Sequence, residues 1–154
     1  MDKKIEITLD KFIEDIVRQL FELPGMDVYK SIDKDEIKIH KFSVLICLII
    51  KFMPQLEDIS LKTCFYVNRF ATDNNVPFDL VKFKNFVDYY VNYMRVNLDP
   101  SDLSNIAYKK VLKKCYINTI KESDYNSIYD EIANYMIEYL DGYLYASLES
   151  FKVI

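Results

Sequence analysis

Glycine is almost absent from this chain: Gly25 and Gly142 are the two among 154 residues. Glycine supplies the positive-φ positions that hairpin turns, bulges and phosphate-cradling loops require. With so few, the backbone has little means of building a many-stranded sheet, a P-loop or a dinucleotide fingerprint. Long helices joined by short links are what remain. Histidine is scarcer still, with His40 alone, and tryptophan is missing altogether. A lone histidine cannot join a second one in a metal site. A Cys-His or Ser-His-Asp arrangement around it would need an orienting carboxylate that nothing in the sequence marks. At the start of an apolar stretch, His40 reads as a surface or capping residue. The cysteines number three, Cys47, Cys64 and Cys115, widely spaced and with no C-x-x-C, so neither a zinc knuckle nor a redox pair is encoded.

Other absences bear on location. No N-x-S/T sequon occurs, and Met1-Asp2-Lys3-Lys4 leads into no apolar signal region. The most apolar run, Phe42 to Phe52, is eleven residues, with Lys41 before it and Lys51 near its end. A bilayer span needs ~20. These features predict a reduced, intracellular, cytoplasmic protein with no membrane association. What is present in quantity is apolar and aromatic: hydrophobic residues make up 51%, with 13 Tyr and 10 Phe, against 29% charged. That balance belongs to a globular chain able to bury a sizeable core in one domain. The formal charge of −4 argues against a general nucleic-acid binder. Abundant Ile, Lys, Asn and Tyr suggest an AT-rich genome, such as that of a low-GC bacterium, its phages, a large DNA virus or a protist.

Apolar spacing predicts six helices. Leu9, Phe12, Ile13, Ile16, Val17 and Leu20 share one face of a helix opening near Thr8 and stopped by Pro24-Gly25, with Lys11–Asp15 and Glu14–Arg18 paired on the other face. A polar loop through Asp33, Lys34, Asp35 and Glu36 is expected next. Ile5, Ile7 and Leu9 alternate in a strand-like way, as do Ile37 and Ile39, and the two could pair as a small ribbon. The 42–53 segment, apolar nearly all round and ended by Pro54, reads as a central core helix. A helix from Asp58 or Ser60 to Thr72 carries Ile59, Thr63, Val67 and Phe70. Asp79 caps another, with Leu80, Phe83, Phe86, Val87, Tyr90, Val91 and Met94 inward. Asp99 as N-cap and Pro100 at the first helical position open a fifth running to about Lys121. Ser123 or Asp124 opens the last, with Ile128, Ile132, Tyr135, Met136, Tyr139 and Tyr143 on one broad side. Residues 1–154 are thus read as a single all-α domain, a bundle of five to seven helices around the central apolar one, with room for a minor two-strand ribbon.

Charge is segregated between the last two helices. From Ser101 to Lys121 there are five lysines and one acid; from Glu122 to Ile154, seven acids and one lysine. Lys110, Lys114 and Lys121 fall in one stripe, with Lys109 and Lys113 beside it. Asp130, Glu131, Glu138 and Asp141 make a polar stripe on the final helix, next to Asn134. The plain reading is two solvated faces that attract one another across an antiparallel pair. The functional readings give the lysines to an acidic partner or a phosphate backbone, and the acids to a basic partner. Tyr135, Tyr139 and Tyr143 recur every four residues on the final helix. A tyrosine keeps its tip wet while its ring is buried, which suits interfaces, although the stripe shares the helix's apolar side and core packing is the default. The stretch containing Asp33, Glu36 and Lys38 has the skeleton of a metal-dependent nuclease site. Such sites sit on sheets, so ordinary solvated surface is the better reading.

With no marked nucleophile, base or ligand set, the expectation is a non-enzymatic regulator or adaptor with no cofactor and no metal, acting by binding a protein. A phage or viral accessory protein that inhibits a host component would fit. The binding candidates are Tyr135, Tyr139, Tyr143, Asp130, Glu131 and Glu138, and a tyrosine-rich face of this breadth could also make a homodimer. Nucleic-acid or nucleoprotein binding through Lys109, Lys110, Lys113, Lys114 and Lys121 is the alternative, disfavoured by the lack of arginine there. A helical fold around one apolar helix also resembles the viral Bcl-2-like proteins, which bind death-pathway or signalling partners. The resemblance is one of architecture: the Asn-Trp-Gly-Arg element of that family has no counterpart, since no Trp is present and neither glycine precedes Arg. No membrane anchor is expected after Phe151-Lys152-Val153-Ile154.

Overall fold

Each long apolar stripe becomes a helix that buries it. The computed structural model describes residues 3–22, 34–54, 58–102 and 104–154, so Pro24, Gly25 and Asp33 lie outside the described residues. Their order is β1 (Ile5–Ile7), α1 (Leu9–Glu22), α2 (Lys34–Phe52), α3 (Ile59–Asp73), α4 (Leu80–Asn97), α5 (Asn105–Ile117), α6 (Ser127–Ser150) and β2 (Phe151–Val153). This is an all-α bundle with a short parallel ribbon.

The centre is α2. It is apolar on nearly every side from Phe42 to Ile49, and a helix of that kind has to be enclosed by others. Phe42, Val44, Leu45, Ile46, Leu48 and Ile49 are fully buried, under α3, α4 and α6. The helix starts well before its apolar run. Lys34, Asp35 and Glu36 are its first turn rather than a loop, with the two acids placed where the helix dipole favours negative charge. The strand-like Ile37 and Ile39 are helical and buried, because enclosure on all sides removes the distinction between two-residue and helical periodicity.

The ribbon therefore has a different partner. Its strands are parallel, with Ile5 opposite Phe151 and Ile7 opposite Val153. Ile154 N donates to Ile7 O (2.9 Å) and Leu9 N to Ile154 O (3.3 Å), so the ladder leads into the start of α1.

In α1 the buried residues are Phe12, Ile13, Ile16, Val17 and Leu20, on the expected face. Lys11 pairs with Asp15 (2.9 Å) as expected, but Arg18 also chooses Asp15 (3.2 Å) over Glu14. Near the other end Lys41 Nζ donates to Leu20 O (2.9 Å), satisfying a carbonyl of the last turn. Burial, with Lys38 nearby, pulls the Lys41 pKa down to about 8.

Asp58 (φ 60°) and Asn75 (φ 53°) take left-handed positions beside α3, a task the short side chains of Asp and Asn perform next best to glycine. Gly142 lies inside α6 without a positive φ. Asp79 caps α4 as expected, accepting from Lys82 N (3.0 Å). The start of α5 differs from expectation. Asp99 accepts from Ser101 N (2.9 Å) and the Ser101 hydroxyl (2.7 Å), so it closes a local turn instead of a helix. Ser104 is the cap, accepting from Ala107 N (3.2 Å). The helix ends at Ile117, where Thr119 Oγ1 donates back to Tyr116 O (2.6 Å), leaving Lys121 beyond it. The last helix likewise opens later, on Asn126, which accepts from Ile128 N (2.9 Å).

Candidate functional site

The face carried by α5 and α6 holds most of the residues singled out from the sequence. The buried side of α6 is Ile132, Ala133, Met136, Ile137, Leu140, Asp141 and Leu144. Tyr135 and Tyr139 follow a parallel row about a sixth of a turn away from Ile132 and Met136, and this offset decides their environment. They are 45% and 38% exposed, so the broad apolar side splits into a core row and an outward aromatic row. The rings stack: Tyr135 and Tyr139 lie 6.0 Å apart at 11°, Tyr139 and Tyr143 6.3 Å apart at 24°. Tyr143 anchors one end, its hydroxyl donating to Gln19 Oε1 on α1. Desolvation, with a neighbouring tyrosine adding to it, raises the pKa of Tyr139 and of Tyr143 above the usual phenol value. Glu131 is exposed beside this ladder, and Gly142 continues the outward row with nothing within 4 Å of where a Cβ would stand.

The acidic and basic stripes meet across the antiparallel α5–α6 pair. Lys109 Nζ donates to Glu138 Oε2 (2.9 Å) and stands 3.0 Å from Asp141 Oδ2, while Lys113 is 3.7 Å from Asp130. Asp141 is a correction to the solvated stripe: it is 8% exposed, with Asn105 donating to it (3.3 Å) and Lys51 at 3.7 Å. Burial works against its charge, but the Lys109 and Asn105 hydrogen bonds and both ammonium groups hold its pKa below the ordinary value. For Lys109 burial again opposes the charge and the two carboxylates outweigh it, so its pKa is raised. Lys110 and Lys114 are exposed and form no ion pair among the described residues. Lys121, off the helix, does not extend their stripe.

His40 is neither a surface nor a capping residue; it is 2% exposed. Its Nδ1 is hydrogen-bonded to the Tyr90 hydroxyl (2.9 Å), and Phe86 (4.6 Å) and Tyr116 (5.0 Å) pack on the ring. Desolvation first, and Lys82 second, lower its pKa from 6.5 to about 4. Glu36 Oε1, 4.0 Å from Nε2, is at the limit of ion-pair reach and also engages Lys82 at 3.6 Å, so it does not keep the ring charged. The sequence signal missed here was Tyr90, an inward tyrosine whose hydroxyl must find a partner. Glu36 and Lys38 stand two apart on α2, a spacing at which helical side chains diverge. Among the described residues no three His, Cys, Asp or Glu side chains gather as a metal site.

Among the described residues no helix is long and apolar enough to cross a membrane. No protein family matches the chain, nor does any curated protein or solved structure.

Proposed function

We propose that this chain is a non-enzymatic intracellular adaptor or regulator that binds a basic protein segment along the outward face of α6. The observation that carries the reading is the pre-stacked ladder Tyr135–Tyr139–Tyr143, half-exposed on a long helix with Glu131 beside it. Stacked phenol rings offer rigid contact area at little entropic cost. An arginine can lay its guanidinium over such a ring while pairing with a carboxylate one turn away. Support for a non-catalytic role comes from the reactive groups: Cys47, Cys64 and Cys115 are buried, with the Cys115 thiol pushed up to about 12 by desolvation. The composition fits an accessory protein of a virus or phage that blocks a host component by this contact. Nucleic-acid binding is the weaker alternative, because Lys109 and Lys113 are already engaged by carboxylates of α6.

The test is fluorescence anisotropy with two labelled helical peptides of equal length, one arginine-rich and one glutamate-rich. The basic peptide should bind and the acidic one should not. A Tyr135→Ser/Tyr139→Ser double variant with unchanged circular dichroism should bind at least tenfold more weakly. Equal affinity of variant and parent would refute the reading.

A further inference from the structure

A recess of about 500 Å³ opens on another part of the bundle, between the C-terminal halves of α2 and α4 and Tyr108 of α5. Its size is that of small-molecule sites. The walls are largely aliphatic: Ile50 from α2, Val91 and Met94 from α4, and Leu98 just past the end of α4. Two cations, Lys51 and Arg95, line it, and among the described residues no carboxylate does.

Among the described residues neither cation has all of its donors filled. The Lys51 side chain is 17% exposed, and its ammonium lies over the rings of Phe52 (5.0 Å) and Tyr108 (5.3 Å). Asp141 Oδ1, at 3.7 Å, is beyond hydrogen-bond distance and is itself a buried oxygen without a hydrogen-bond partner. Lys51 thus stands largely out of water, with only this long ion pair to Asp141 set against its charge among the described residues. Arg95 is exposed and uses one nitrogen on Asn92 Oδ1, leaving most of its five N–H donors available. The remaining polar group is committed, because the Tyr108 hydroxyl donates to Cys47 O (2.6 Å). A sugar or nucleobase would need several directed donors and acceptors, which these walls lack. What the recess can satisfy is an acceptor-only, negatively charged head on an apolar tail.

We infer that the recess binds a single-chain carboxylate amphiphile of the fatty-acid class, its tail against Val91, Met94 and Leu98 and its carboxylate between Lys51 and Arg95. The tail supplies affinity by removing its methylenes from water. The cations supply selectivity, since a neutral head would leave their donors unmet. The site lies apart from the α6 tyrosines and does not depend on their role.

The experiment uses the full chain labelled with ¹³C at its methionine methyls, titrated with decanoate below its aggregation threshold. The Met94 resonance, assigned with Met94→Leu, should move saturably at one decanoate per chain. Decanol should bind at least tenfold more weakly, as should decanoate to Arg95→Gln, an exposed substitution that leaves the core alone. Lys51→Gln should weaken decanoate similarly, and Tyr135→Ser/Tyr139→Ser should leave it unchanged. Absence of a saturable Met94 shift would overturn the site. Equal binding of decanol and decanoate, or indifference to Arg95→Gln, would overturn the carboxylate assignment, as would decyl phosphate binding in decanoate's place.

Discussion

Lowering the pH from about 7 to about 4 protonates an ordinary histidine without consequence, but His40 has to be forced to accept the proton. Its ring is enclosed by Phe86, Tyr90 and Tyr116, with the Lys82 ammonium adding repulsion. In the unfolded chain it titrates near 6.5; folded, near 4. Between those values the unfolded state binds more protons, so stability is complete above about pH 6.5 and falls as the pH drops toward 4. The loss approaches about 3 kcal/mol at pH ~4, at 1.36 kcal/mol per pH unit. That is a large share of the roughly 5–15 kcal/mol by which a domain is held folded. Two measurements check this. As the chain has one histidine, its Hε1 NMR resonance is unambiguous and should titrate well below 6. Urea unfolding followed by circular dichroism across the same range should show the loss, and His40→Gln, which keeps a polar partner for Tyr90 but cannot titrate, should reduce it to under ~1 kcal/mol. An imidazole titrating near 6.5, or a His40→Gln profile parallel to the parent's, would show that burial of His40 does not set this pH dependence.

Gly142→Ala should raise stability by about 1 kcal/mol in urea unfolding, because the position is helical and open and glycine is costly there. Ser104→Ala should cost about 1 kcal/mol by removing the α5 cap, and Asp99→Ala clearly less, reversing the order expected if Asp99 began the helix. Asp141→Ala should lower stability by about 3 kcal/mol, leaving Lys51 and Lys109 facing one another without their shared carboxylate. Thermal melting at matched pH checks all three.

Much of this architecture could be read from the residues because its signals are local. The α1 face from Phe12 to Leu20, the central burial of Phe42 to Ile49 and the Asp79 cap each follow from spacing within a few turns. What escaped depends on neighbours distant in sequence. The first strand pairs with residues near 152 rather than 38, a choice no short-range pattern records. Asp99-Pro100 has every mark of a helix start, yet the Ser101 hydroxyl captures the Asp99 side chain and passes the role to Ser104. In the candidate site, the antiparallel meeting of lysines and acids was legible from charge alone. The burial of Asp141, the outward turn of Tyr135 and Tyr139 and the gathering of Lys51 and Arg95 at one recess were not, since each is fixed by how helices cross.

The pairing of Ile5–Ile7 with Phe151–Val153 has a consequence for how the chain comes to be folded. A parallel ladder joining segments so remote closes a loop that holds every described helix, and its entropic cost is recovered only once those helices have assembled. On the ribosome that ladder must wait until residue 153 has been made, whereas α1 through α4 can dock beforehand. The ribbon then acts as a clasp fastened last: covalently joining its two strands and opening new ends in the exposed turn at 121–124 should yield a circular permutant with the same bundle and a different order of assembly.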